Sequence, residues 1–88
     1  MFSINNEHKQ EIISHALEEN PNECCGILVG KDGVVDKVRR MTNTAASPYR
    51  YDMDPSELMN ILDSEYENSE NELVAIYHSH THSEAYPS

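Results

Sequence analysis

Apolar positions in this 88-residue chain alternate between helical and strand-like spacing. Phe2 to Ile4 has the character of a short edge strand, and Asn5 or Asn6 can then cap a helix whose first turn carries Glu7. Ile12, Ile13, Ala16 and Leu17 form its apolar stripe. Asn20-Pro21 ends it, because a residue before proline is pushed out of the helical region. Cys24 to Val29 reads as a buried strand, Lys31-Asp32-Gly33 as a hairpin turn of the Asp-Gly type, and Val34 to about Met41 as the return strand. The return strand alternates only in part, as expected for one covered face and one wet face.

Thr42 to Pro48 is small, polar and loop-like, after which Tyr49, Tyr51 and Met53 alternate with Arg50 and Asp52 in the period of a half-buried strand. Asp54-Pro55-Ser56-Glu57 predicts a helix start, with an acidic N-cap, proline at the first helical position and a glutamate placed to reach back as in a capping box. Leu58, Ile61, Leu62 and Tyr66 share one face of that helix. An acidic connection then leads to an apolar run, Leu73 to Tyr77. The order β-α-β-β-β-α-β predicts an α/β fold with helices packed on a mixed sheet.

Length and charge narrow the class. A chain this short makes one domain, and it buries only about 60–65% of its unfolded surface. Sixteen acidic against six basic residues give a net charge of −10, which opposes phosphate backbones and anionic membrane surfaces. Nucleic acid and membrane are therefore not expected partners. The N-terminus lacks a secretory pattern, no apolar stretch approaches the roughly 20 residues that span a bilayer, and a cytoplasmic location is the default expectation. Arg39 and Arg40 are expected to neutralise carboxylates at the surface.

Candidate chemistry lies at the end of the last strand. His78 and His80 are two positions apart, so a strand sends both imidazoles to the same side. That arrangement suits zinc, which takes imidazole nitrogens at about 2.0–2.1 Å. His82 continues the alternation and is either a third ligand or a loop histidine near the cleft mouth. His8 and His15 belong to the first helix and are expected at its margins, without a ligand role. The adjacent Cys24 and Cys25 have neither disulfide nor Cys-x-x-Cys metal spacing and read as strand residues facing opposite sides, a reactive thiol being the alternative.

Two blocks carry a family resemblance. His78-Ser79-His80 followed by Ser88 resembles the His-x-His-x7-Ser part of the signature of JAMM (MPN-plus) zinc metallopeptidases, and Glu23-Cys24-Cys25-Gly26-Ile27-Leu28-Val29-Gly30 resembles their Glu-x-Cys-Gly-x-x-x-Gly strand. The family pattern continues with an Asp three residues beyond the serine, a position past Ser88. The resemblance implies an N-terminal portion, residues 1–88, of a JAMM/MPN-like domain of the bacterial stand-alone type, without its C-terminal elements. It also implies Zn2+ held by His78 and His80, Glu23 as catalytic base and Ser88 as hydrogen-bond donor to the oxyanion. The activity it implies is hydrolysis of amide bonds at the C-terminus of ubiquitin-like or sulfur-carrier proteins. A non-catalytic MPN-like binding or scaffold module with an incomplete metal site is the alternative. A sheet edge left open by absent elements further suggests a homo-oligomer.

Overall fold

A computed structural model describes residues 2–80 of the protein, so His82 and Ser88 lie outside the described residues. Helix α1 spans Asn6–Glu19, strands β1 and β2 span Cys25–Lys31 and Val34–Met41, helix α2 spans Pro55–Ser69, and strand β3 spans Glu72–His78. The sheet order is β2-β1-β3, with both neighbours antiparallel to β1. Ser3 adds an isolated parallel bridge to Val34, and the mixed character expected of the sheet is confined to that contact.

Central position explains the composition of β1. From Cys25 to Gly30 every residue is buried, because α1 covers one face of the strand and α2 the other. Cys24 and Leu28 point towards α1 and join Val35 and Tyr77, with Ile12 and Ala16 packed against them. Cys25, Ile27 and Val29 point the other way, beneath Leu58, Ile61 and Leu62 of α2. The two cysteines thus take opposite sides, as their adjacency implies, and each side is core. Asp32 and Gly33 both have positive φ, 50° and 76°, the backbone that a two-residue hairpin requires.

The first helix is capped by Asn5, whose side chain accepts from the His8 amide at 2.9 Å. Asp54 caps the second, accepting from the Ser56 amide at 3.0 Å with Pro55 in the first turn. Glu57 does not close the expected capping box. Its carboxylate accepts instead from the Thr42 amide at 2.9 Å and the Thr42 hydroxyl at 3.1 Å, fastening α2 to the end of β2. Half of the α1 stripe stays outside the core: Ile12 and Ala16 are packed, whereas Ile13 and Leu17 are exposed. Tyr66 is likewise exposed on α2.

Two expected strands form differently. Phe2 to Ile4 contributes only the Ser3 bridge, held by Ser3 N to Gly33 O at 2.7 Å and Val35 N to Ser3 O at 2.9 Å. Tyr49 to Met53 is not a strand. Its alternation places Tyr51 and Met53 against the α2-side core, but its backbone groups bond to Asn43 and Thr44 in place of a ladder neighbour.

Arg40 follows expectation, pairing with Glu11 and Glu18 of α1 at 2.6 Å each. Arg39 does not, because its carboxylate partner, Glu65, is buried, with only 2% of its side chain accessible. Burial alone would push the Glu65 carboxyl up, but hydrogen bonds from Asn71, Arg39 and Lys37 outweigh it and hold the group below its ordinary value of 4.5. Asn71 donates at 3.0 Å and Lys37 at 3.3 Å, so one carboxylate joins α2, β2 and the entry to β3. A carboxyl with a lowered folded pKa stabilises the fold above its unfolded pKa and loses that contribution as pH falls through the folded value. Glu65→Ala is expected to cost about 2–3 kcal/mol in urea unfolding at neutral pH. The deficit should shrink as the pH is lowered below 4.5, which a pH series of unfolding curves measures.

Candidate metal centre

The antiparallel register sets His78 opposite Cys25, whose side chain faces α2, so His78 faces α2 as well. Pairing continues past the strand end: the Ser79 amide donates to Cys24 O at 3.1 Å, and the Cys24 amide donates to Ser79 Oγ at 2.8 Å. The residue after Glu23 is therefore clasped to the residue between the histidines. His78 and His80 lie with ring centroids 4.7 Å apart, which satisfies the same-side geometry expected from their spacing.

Glu23 meets them there. Its backbone is held at both ends, Glu23 N donating to Ser47 O at 2.9 Å and Glu23 O accepting from Asn43 Nδ2 at 2.9 Å. The residue is buried, His78 half-buried and His80 exposed. One possible ligand atom from each lies within 4.8 Å of the other two. Donors about 2.1 Å from one tetrahedral ion stand about 3.4 Å apart, so the groups need only draw closer together to share an ion. His78 supplies a second sign of fit, since its Nδ1 is buried without a hydrogen-bond partner among the described residues. A buried imidazole nitrogen left in that state is costly unless something binds it. His78 and His80 supply two imidazole donors of the kind zinc takes, and the Glu23 carboxylate stands beside them.

Four residues around the centre escaped the reading of the sequence. Tyr51 stacks on His78, with centroids 4.5 Å apart and planes 24° from parallel. Asn43 holds the Glu23 carbonyl, and Ser79 holds the Cys24 amide. Tyr77, one residue before His78, faces α1 and shares a 2.7 Å hydrogen bond with His15 Nδ1. His15 is therefore buried in the core and not at the helix margin. Gly26 is the sequence signal for Tyr77, because any Cβ at that position would collide with the tyrosine ring and hydroxyl. Both cysteines are free and buried. Burial, with the charges of Cys24 and Glu57, pushes the Cys25 thiol up to about 11, and Cys25 Sγ lies 3.6 Å from Thr42 O as a core donor.

Residues 5–88 match the family model described as prokaryotic homologs of the JAB domain. The chain belongs to that family. The resemblance carried by the Glu23 and His78 blocks is thereby borne out. The JAB-family chain is 40% identical over 80 residues to the CysO-cysteine peptidase of Mycobacterium tuberculosis, covering 88% of this chain and 53% of that protein. It is 38% identical over 74 residues to a desampylase of Pyrococcus furiosus, covering 84% of this chain and 52% of the relative. The chain thus spans about half the length of the curated relatives it matches. The solution structure of protein DSY2949 from Desulfitobacterium hafniense superposes with a TM-score of 0.86 at 32% identity, over 100% of this chain and 62% of that one. Among the described residues, no helix is long and apolar enough to cross a membrane.

Burial, and next the charge of Arg40, lowers the His15 pKa below 6.5. A histidine that resists protonation in the fold stabilises it fully above the unfolded pKa and loses that contribution as pH falls through the folded value. Stability should accordingly decline as the pH drops below 6.5. Tyr77→Phe, which leaves the buried His15 Nδ1 without its partner, is expected to cost about 1–3 kcal/mol in urea unfolding at pH 7.

Proposed function

We propose that this JAB-family chain carries the base and two metal ligands of a zinc-dependent peptidase or isopeptidase acting on amide bonds at the C-terminus of ubiquitin-like or sulfur-carrier proteins. The observation that carries the reading is the convergence of Glu23, His78 and His80 from two strand ends onto one point. The peptidase and desampylase names of two relatives support the reaction class. The gathering of a buried carboxylate and two imidazoles at one point supports the enzyme over a scaffold module.

His78 and His80 would hold the zinc, and the Asp of the family pattern, beyond Ser88, would complete the ligand set. When bound, the ion supplies Lewis acidity towards a water and towards the scissile carbonyl oxygen. Glu23 takes the proton of the attacking water on its carboxylate and delivers it to the amide nitrogen as the C–N bond breaks. Ser88 donates its hydroxyl hydrogen to the oxyanion formed at the former carbonyl. The outer edge of β3, where Leu73 and Ile76 are exposed, offers a surface for self-association.

Zinc affinity, measured by competition with a chromogenic chelator, should fall at least tenfold in His78→Ala and in His80→Ala. In a form that carries the family Asp, Glu23→Gln should retain the metal while lowering kcat for cleavage of a ubiquitin-fold protein amide by about 100-fold or more. Zinc affinity unaffected by either histidine substitution would refute the assignment. Sedimentation velocity at rising concentration tests the edge, a monomer throughout being the contrary result.

A further inference from the structure

We infer that Asn43 is a positioning residue that sets Glu23 and His78 at their working separation, a role whose catalytic consequence rests on the metallopeptidase reading above. Asn43 is buried at 8% exposure, and its amide makes four hydrogen bonds. Nδ2 donates to Glu23 O at 2.9 Å and to Arg50 O at 3.0 Å. Oδ1 accepts from the amides of Ala45 and Asp52, each at 3.0 Å. A primary amide has two N–H donors and room for two at its oxygen, so every capacity is used.

The partners show what the residue does. Arg50 O and Asp52 N flank Tyr51, so two bonds from one side chain bracket that residue and fix where its ring stands. The ring lies flat on His78, at 4.5 Å between centroids. A third bond holds the Glu23 main chain. The imidazole and the carboxylate are thus referred to the same buried amide, one through Tyr51 and the other directly. Asparagine is suited to this task by its donor set. Aspartate keeps the two acceptor bonds but has no donor for the carbonyls of Glu23 and Arg50, and alanine has neither.

The test reads ring geometry first and metal second. In the metal-free chain, histidine-selective NMR should show the His78 ring protons displaced by the ring current of Tyr51. Asn43→Asp is expected to move those signals in the direction of Tyr51→Ala, whereas Tyr51→Phe, which keeps the stacked ring, should retain them. His15 signals serve as the fold control, because His15 lies on the other face of the sheet against Tyr77. Zinc affinity of Asn43→Asp should fall about 10-fold to 100-fold, the range typical of groups that orient metal ligands. A folded Asn43→Asp with native His78 signals and native zinc affinity would overturn the inference, even if its unfolding midpoint had dropped. Where Asn43→Asp does not fold, Tyr51→Ala decides, and unchanged His78 signals in that variant would equally overturn it. If a form that carries the family Asp binds no zinc at all, the metallopeptidase reading fails, while the NMR comparison still decides whether Asn43 places the ring.

Discussion

The pairing of Cys25 with His78 is the constraint on which the centre depends. Side chains alternate strictly along a strand, so a slip of one residue between β1 and β3 would turn His78 towards α1 and bring Tyr77 to the α2 side. Several features oppose such a slip. Tyr77 fits only over a residue without a Cβ, which is Gly26, and its hydroxyl finds a partner only where His15 lies. Ser79 then closes the register with two bonds to Cys24. Packing on the α1 side of the sheet thus determines what is presented on the α2 side.

Among the described residues, two buried glutamates, Glu65 and Glu23, are held in different ways. Glu65 is surrounded by donors from Asn71, Arg39 and Lys37, which neutralise it and hold it ionised. Such a group ties elements together and has no spare capacity for a ligand. Glu23 is instead fastened through its backbone, by Ser47 and Asn43, and its carboxylate is directed at two imidazoles. The base role proposed for Glu23 calls for such a carboxylate, held through its amide and carbonyl and not through its oxygens.

Legibility from the sequence followed the range of the interaction. Both helices, the Asp32-Gly33 hairpin and the buried β1 were readable because caps, turn residues and apolar runs act within a few positions. The same-side placement of His78 and His80 was readable for the same reason, and the nearness of Glu23 came through the family resemblance. What was not readable depends on partners far away in the chain. Nothing local distinguishes Glu65, which is buried, from Glu67, which is exposed, until β2 brings Lys37 and Arg39 beneath the helix. His15 appeared marginal because its partner, Tyr77, lies 62 residues away.

The segment from Tyr49 to Met53 shows where period and pairing part company. Alternation reports only that successive side chains meet different environments, and Tyr51 and Met53 do face the core while Arg50 and Asp52 face out. A ladder requires, in addition, a neighbouring backbone with free donors and acceptors. Here the bonds come from an asparagine side chain and from Thr44, so the segment is extended without becoming a strand. That substitution has a functional sense. A ladder would bind Tyr51 to the sheet's own geometry, whereas a side-chain bracket lets a loop approach the strand end and lay an aromatic ring on His78. The same amide reaches Glu23, so the irregular segment next to the centre is the part of the fold that brings its two sides into register.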